Sequence, residues 1–157
     1  MPKITFDEYG NSKPYGLVPL SIDECETIFV SDFPSSTTRT SNWSGYIKFT
    51  TQLKIVATHP VTQWLDGSFT TNKLNPGDID IVNIINPLDF KPTLKEFDMN
   101  RSDGYPKKVY NIDGYVIIDL PSTHPYYAKI VAQKEYWKKF FSTDRDDNPK
   151  SILEVTV

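Results

Sequence analysis

A glycine–serine step and a pair of aspartates stand close together in the middle of the chain. Ser68 follows Gly67 directly, and ten residues beyond Ser68 the aspartates Asp78 and Asp80 flank a single apolar residue. A glycine lets a phosphate approach the backbone because no Cβ is in the way. A serine offers a hydroxyl and an amide N–H to phosphate oxygens. These residue types in this order predict a phosphate-binding turn beside a carboxylate pair.

The two aspartates have the spacing of one strand face. Residues i and i+2 of a β-strand project from the same face, so the side chains of Asp78 and Asp80 would converge. Their repulsion favours a bound Mg²⁺, with Mn²⁺ as an alternative, because these hard ions prefer carboxylate and phosphate oxygens. Two such ions about 3.5–4 Å apart promote displacement at phosphorus. A solvated strand face is the simpler interpretation, but Ile79, Ile81 and Val82 indicate a buried strand and favour a cleft.

The surrounding segments predict the elements that would position these residues. Apolar spacing and capping chemistry predict helices at Ile22–Val30, Trp43–Val56, around Leu94–Met99, and from Thr123 onward. Alternation and β-branched content predict strands at Val61–Gly67, Asp78–Ile85, Tyr110–Leu120 and Ile152–Val157. The order predicts an α+β fold with a small mixed β-sheet flanked by helices. A length of 157 residues predicts a single domain, 1–157, with an irregular N-terminal arm over about 1–20.

Composition narrows the classes of function. Seventeen Lys and Arg against twenty Asp and Glu give a net charge of −3, which argues against a generic nucleic-acid-coating surface. Cys25 is the only cysteine and there are two histidines, which excludes a closed zinc site of the usual kind. No apolar run approaches the ~18 residues that a membrane span needs. The acidic N-terminal segment does not read as a signal peptide, so we expect a cytoplasmic protein without membrane contact.

The segment from Leu65 to Asp80 resembles the signature of the DNA polymerase beta-like nucleotidyltransferase superfamily. That signature is a strand, Gly-Ser, a spacer, then acid, apolar, acid, with a third acid on a later strand. The chain is also similar to an uncharacterised family of small bacterial and phage nucleotidyltransferase-like proteins. The matching segments are Leu17–Pro19, Leu65–Phe69, Pro76–Asp80, Tyr110–Tyr115, His124–Pro125 and Asp144–Val157. The resemblance implies a nucleotidyltransferase-like core.

The resemblance also implies an activity. A Mg²⁺-dependent enzyme would move a nucleoside monophosphate from an NTP to an acceptor hydroxyl on a protein, RNA or small molecule, in a setting such as toxin–antitoxin pairing or phage defence. Asp78 and Asp80 would be catalytic and metal-binding, and Gly67 and Ser68 would bind the β- and γ-phosphates. A chain of 157 residues leaves little room for an acceptor domain. A protein partner or a homo-oligomer is therefore expected to complete the site.

Two aspartates compete for the role of the third carboxylate. Asp113 and Asp119 are six residues apart on one predicted strand face, about 20 Å along the strand, so both cannot serve one metal pair. Asp113 fits the family pattern better, and Gly114 beside it allows a close approach to the site. We therefore assign Asp113 as the third catalytic and metal-binding acid. The direction of the neighbouring strand should decide, and we expect a parallel or swapped register to select Asp119.

The chain departs from the family pattern in its cations. Many active members carry arginines just after Gly-Ser, where this chain has Phe69 and Thr70. The nucleotide-binding cations would then be Lys73, Arg145 or Lys150, each of which is also typical of plain surface charge. This departure favours an alternative function, a catalytically weak or inactive nucleotidyltransferase-like protein that acts as a nucleotide-binding or partner-binding module.

Overall fold

A computed structural model describes residues 3–97 and 105–157 as one mixed five-stranded sheet with helices on both faces and a separate two-stranded ribbon. The helices are α1 Ile22–Glu26, α2 Arg39–Val56, α3 Pro87–Glu96, α4 Lys107–Tyr110 and α5 Tyr127–Phe141. The strands are β1 Thr5–Phe6, β2 Ser12–Lys13, β3 Gly16–Pro19, β4 Thr62–Asp66, β5 Ile79–Ile85, β6 Ile112–Ile118 and β7 Ser151–Thr156. The predicted α+β class is confirmed.

The main sheet has the strand order β3-β7-β4-β5-β6. Strand β4 runs antiparallel to both of its neighbours, β7 and β5. The two outer pairs, β3 with β7 and β5 with β6, are parallel. Helices α3 and α4 lie in the connection between β5 and β6, as a parallel crossover requires. As a result, the end of β4 and the starts of β5 and β6 meet at one edge of the sheet.

Each face of the sheet has its own apolar core. Helix α2 packs on one face through Trp43, Tyr46, Phe49 and Leu53, which follow one another at intervals of three or four residues and so share one side of the helix. Helix α5 packs on the other face, where Ile130 and Phe141 lie in a cluster with residues of four strands.

The helix predicted at Ile22–Val30 begins as expected, because Ser21 and Glu24 form a capping box. A π-helical turn then extends it to Ser31.

The N-terminal arm is more ordered than the sequence predicted. Its residues form the β1–β2 ribbon and then β3, which pairs in parallel with β7 as an edge strand of the main sheet. The glycine and proline content of the arm favoured irregular structure. The pairing partner of Gly16–Pro19 is the last strand of the chain, a long-range contact that no local pattern shows.

The predicted short helix around Leu94–Met99 begins earlier, because Asn86 caps the helix and accepts a hydrogen bond from the Leu88 N–H. Pro87 occupies the first helical position, where its missing N–H costs nothing. Helix α3 is described as far as Glu96, and residues 98–99 of the prediction lie outside the described residues. Similarly, α4 takes the start of the predicted strand 110–120, so β6 is shorter than expected.

Helix α5 buries only a small part of its apolar side. It begins at Tyr127 rather than near residue 123, and Ile130 and Phe141 are its buried residues. The side chains of Phe140 in α5 and of Tyr126 directly before it are 60% and 58% exposed. Over residues 3–97 and 105–157, no helix is long and apolar enough to cross a membrane.

Candidate active site

Three aspartates lie side by side on neighbouring strands at one edge of the sheet. Asp66 at the end of β4 is the register partner of Asp80 in β5, and Asp80 is the register partner of Asp113 in β6. Register partners project from the same face of a sheet. We call Asp66, Asp80 and Asp113 the carboxylate row. The sequence had indicated Asp80 and Asp113, but not Asp66.

The Gly67–Ser68 step closes against this row. Gly67 has φ +81°, a conformation that favours glycine, and a Cβ at this position would collide with the Asp80 carboxylate. Residues Ser68–Thr70 then form a single 3₁₀ turn. The Ser68 hydroxyl makes no hydrogen bond within the described part of the chain, and the residue is half-buried. The turn therefore places the Gly67 backbone against Asp80 and leaves the hydroxyl of the next residue, Ser68, without a hydrogen-bond partner among the described residues.

Asp80 lies where negative charge accumulates. The pKa of its carboxyl is raised to about 6, chiefly by burial and then by the nearby carboxylates of Asp78 and Asp113, while Lys150 and Lys107 oppose the shift. Like charges held this closely are unfavourable unless a cation or a proton compensates them. Such an arrangement is typical of functional sites.

Asp66 is compensated by a buried lysine. The Lys150 Nζ lies 3.0 Å from Asp66 Oδ1 and donates a hydrogen bond to the Gly67 carbonyl oxygen at 3.1 Å. Both side chains are almost fully buried. Burial nevertheless raises the pKa of Asp66 to about 7, because the loss of solvation outweighs the attraction of Lys150. The structure thus places Lys150 beside the predicted phosphate turn, engaged in a pair rather than exposed.

The outer carboxylates also have partners. Asp78 precedes β5 and forms an ion pair with the exposed Lys107, Nζ to Oδ2 2.8 Å, which raises the pKa of Lys107. The Tyr115 hydroxyl donates a hydrogen bond to Asp113 Oδ2 at 3.2 Å. Burial, followed by the charge of Asp113, raises the pKa of Tyr115 to about 12. Tyr115 therefore remains a hydrogen-bond donor at neutral pH.

These partners determine what the site can bind as it stands. Within residues 3–97 and 105–157, no three His, Cys, Asp or Glu side chains converge closely enough to hold a metal ion. Lysines engage Asp66 and Asp78 instead. The donor set remains one of carboxylate oxygens gathered around the partly buried Asp80, which is the chemistry that Mg²⁺ or Mn²⁺ requires. Release of Asp78 from the exposed Lys107 would make a second carboxylate available.

The strand direction separates Asp113 from Asp119. Because β5 and β6 are parallel and both begin at the same edge, their first residues are level, and this places Asp113 beside Asp80. The expectation that a parallel register would select Asp119 was wrong for this reason. Asp119 lies beyond the other end of β6, where its N–H bonds the Ile85 carbonyl at 2.7 Å and its carboxylate pairs with Lys134 at 2.8 Å.

Two predicted nucleotide-binding cations are not joined to the row. Lys73 is exposed, and Arg145 is exposed in the turn where Asp144 accepts backbone hydrogen bonds from Asp146 and Asn148. Among the described residues, neither Lys73 nor Arg145 makes an ion pair with a carboxylate of the row. The cations that do approach the row are Lys107 and Lys150, and only Lys150 had been predicted.

A buried arginine fixes the segment that follows the Gly67–Ser68 turn. The Arg39 guanidinium is fully buried, which lowers its pKa to about 10. It donates hydrogen bonds of 2.6–2.8 Å to the carbonyl oxygens of Phe29, Phe69, Thr71 and Lys73. This role of Arg39 was not predicted, because an arginine near the start of a helix is typical of surface charge.

A protein-family model with the description "Family of unknown function (DUF6932)" matches residues 4–156. The chain belongs to the DUF6932 family. No curated protein and no solved structure matches it. DUF6932 membership carries no activity with it, so a function has to be inferred from the site itself.

The DUF6932 chain also has a groove next to the carboxylate row. We call it the edge groove. Its volume is about 390 Å³, and it follows strand β6 from Asp113 to Ile117 between helices α3 and α5. Phe90 and Leu94 line it on the α3 side, and Gln133 and Trp137 line it on the α5 side. The Tyr115 and Trp137 rings pack at 4.2 Å between centroids. The groove therefore joins an apolar, aromatic wall to the Asp113 end of the row.

Proposed function

We propose that this protein is a Mg²⁺-dependent nucleotidyltransferase that moves a nucleoside monophosphate from an NTP to an acceptor hydroxyl. The observation that carries the proposal is the register of Asp80 and Asp113 beside the Gly67–Ser68 turn. A phosphate-binding turn next to gathered carboxylates is the combination that phosphoryl-group chemistry requires, because catalysis there is mainly positioning and charge neutralisation.

The roles follow from position. Once Asp78 is released from Lys107 and the three side chains close on the ion, Asp78, Asp80 and Asp113 would hold Mg²⁺, or Mn²⁺ in its place. Bound there, the cation would neutralise phosphate charge and favour ionisation of the acceptor hydroxyl. Gly67 and Ser68 would receive the β- and γ-phosphates, Gly67 through close backbone approach and Ser68 through its free hydroxyl. Lys150 would orient this turn through the Gly67 carbonyl.

The reaction exchanges one bond for another. The acceptor oxygen forms a bond to the α-phosphorus, and the bond from the α-phosphorus to the bridging oxygen of the β-phosphate breaks. Pyrophosphate leaves, and the acceptor proton passes to a carboxylate oxygen of Asp113. Tyr115 donates to Asp113 Oδ2, so the other oxygen of that carboxylate is left to accept the proton.

A transfer assay tests the proposal directly. The protein is incubated with each of the four NTPs, labelled at the α-phosphate, together with Mg²⁺ or Mn²⁺ and a cell lysate. We expect pyrophosphate release and transfer of label to a macromolecule or small molecule, both abolished by Asp80→Asn. Asp32→Asn, an exposed aspartate far from the row in sequence, is the matched control and should retain activity. Activity that persists unchanged in Asp80→Asn would overturn the proposal.

A second function is favoured by the ion pairs at the site. Lys107 and Lys150 engage two of the carboxylates, and no arginine follows Ser68. Both features fit a nucleotidyltransferase-like binding module that senses a nucleotide or engages a protein partner without catalysis. ATP with Mg²⁺ should raise the melting temperature under either function. Pyrophosphate release, measured with and without candidate acceptors, should occur only if the protein is an enzyme.

A further inference from the structure

Strand β6 offers backbone hydrogen-bonding groups to the edge groove. In the part of the chain that the structure describes, β6 pairs on one side only, with β5. The Asp119 N–H donates to the Ile85 carbonyl oxygen of β5. Every second residue before Asp119 therefore also directs its backbone N–H and C=O groups towards β5. Gly114 and Val116 therefore point their N–H and C=O groups away from β5 and into the groove. Unpaired groups of this kind are a template for another extended chain.

The walls of the groove suit alternating side chains. Its floor is five consecutive strand residues, and its walls are the apolar or aromatic side chains of Phe90, Leu94 and Trp137 with the amide of Gln133. The volume of about 390 Å³ accommodates a few side chains of an added strand. Main-chain pairing gives affinity in such complexes, and pockets for alternate side chains give specificity. The shape thus favours an extended polypeptide.

The rim of the groove is basic, although the whole chain is acidic. A lysine directly follows each of the four helical residues that line the groove: Lys91, Lys95, Lys134 and Lys138. Lys134 pairs with Asp119 at 2.8 Å and Lys138 lies 3.7 Å from Glu135, so the charges of these two lysines are already compensated. Lys91 and Lys95 are exposed and make no ion pair with a described residue. Lys129 lies one helical turn before Gln133 on the same side of α5. Charge complementarity therefore favours an acidic occupant.

We propose that the edge groove binds an extended acidic polypeptide as a sixth strand beside β6. A second copy of this chain is a poorer occupant, because edge-to-edge pairing of two β6 strands would bring the two lysine-rich rims together. The proposal does not rest on nucleotidyl transfer and concerns binding alone. If both hold, a bound segment would pass Asp113, which would make a protein hydroxyl the acceptor.

Fluorescence anisotropy with a defined probe tests the binding. The probe is a labelled dodecapeptide that repeats Glu-Val-Glu-Tyr. The controls are a Lys-Val-Lys-Tyr repeat and the acidic peptide with alternate amides N-methylated, in both registers. We expect saturable binding of the acidic peptide and at least about tenfold weaker binding of both controls. Equal binding of the N-methylated peptides would exclude strand pairing and overturn the proposal.

Variants of the protein locate the site. The double variant Lys91→Glu/Lys95→Glu should weaken binding of the acidic probe about tenfold, whereas Lys48→Glu/Lys54→Glu on the exposed side of α2 should not. Val116→Pro removes one N–H that points away from β5, and it should also weaken binding about tenfold. If this variant does not fold, the two charge variants alone test the site. The proposal is overturned if the two charge variants bind the acidic probe equally well. It is also overturned if a single-stranded dT12 oligonucleotide binds more tightly than the peptide, or if Val116→Pro converts a dimer of this chain to a monomer.

Discussion

Asp80 and Asp113 are register partners on parallel strands, so two carboxylates occupy adjacent positions on one face of the sheet. Asp66 extends the row on the other side of Asp80, and the direct ion pair of Lys150 is with Asp66. Among the described residues the middle carboxylate, Asp80, forms no ion pair of its own, and repulsion from Asp78 and Asp113 is one cause of its raised pKa. Unfavourable charge arrangements of this kind are typical of positions that contribute to function.

Exchange of the two candidate third acids should separate their roles. Asp113→Asn is expected to abolish pyrophosphate release while the circular dichroism spectrum stays unchanged, because the amide is a poor metal ligand and cannot accept the acceptor proton. Asp119→Asn should retain activity, since Asp119 pairs with Lys134 at the other end of β6. The assignment would fail if Asp119→Asn lost activity and Asp113→Asn kept it.

Removal of the Ser68 hydroxyl should weaken nucleotide binding. A hydrogen bond to a charged group contributes about 1.5–3 kcal/mol, so Ser68→Ala should raise the Kd for ATP with Mg²⁺ about tenfold or more in calorimetry. Ser44→Ala, at an exposed position of α2, is the control and should bind as the parent does. Unchanged affinity in Ser68→Ala would place the phosphates elsewhere.

Neutralising Asp80 should stabilise the protein at neutral pH. The pKa of Asp80 is about 6 in the folded chain against 3.8 for the free side chain, so the folded state binds this proton more tightly. Its contribution to stability therefore falls as pH rises from about 4 to about 6 and stays constant above. Because Asp80 is partly exposed, Asp80→Asn should raise the free energy of unfolding by about 1–2 kcal/mol at about pH 7.5.

Urea unfolding at two pH values measures this effect. The difference between Asp80→Asn and the parent should disappear near pH ~4, where both carry a neutral group. Asp32→Asn, which changes an exposed carboxyl, should alter stability by no more than about 0.5 kcal/mol at either pH. A destabilised Asp80→Asn at neutral pH would mean that the carboxylate makes a net favourable contribution there.

Lys107 should compete with metal for Asp78. Their ion pair at 2.8 Å involves a lysine side chain that is 59% exposed, so its removal exposes Asp78 without disturbing the core. Lys107→Ala should therefore lower the Kd for Mn²⁺ several-fold, a change on the order of 1 kcal/mol in the free energy of binding. An electron paramagnetic resonance titration without nucleotide measures this Kd. Lys108→Ala, also exposed, should have little effect. Weaker Mn²⁺ binding in Lys107→Ala would contradict a metal site at Asp78.

Loss of Arg39 should destabilise the fold. Arg39→Met leaves four carbonyl oxygens without their donor, and unsatisfied buried groups cost about 1–3 kcal/mol each before relaxation. We expect the free energy of unfolding to fall by about 3 kcal/mol or more. Lys48→Met, at an exposed position of the same helix, should change it by less than about 0.5 kcal/mol. A small effect in Arg39→Met would show that solvent replaces the guanidinium.

Local patterns determined much of the fold. The Ser21–Glu24 capping box placed the first helix, apolar spacing placed α2, and β-branched runs placed β5 and the centre of β6. These features depend on residues within one turn or one strand of each other. For the same reason, the Gly67–Ser68 step and the Asp78–Asp80 pair were visible as candidates in the sequence alone.

Only the tertiary structure decided which side chains meet. Asp66 lies in the row because of the antiparallel register of β4 with β5, and the parallel register of β6 places Asp113 rather than Asp119 beside Asp80. Lys150 reached Gly67 across 83 residues of sequence. Register and strand direction are set by packing across the whole sheet, and a one-residue shift would turn every side chain to the other face. The sequence therefore determined the chemistry that was available, and long-range pairing determined which groups share a site.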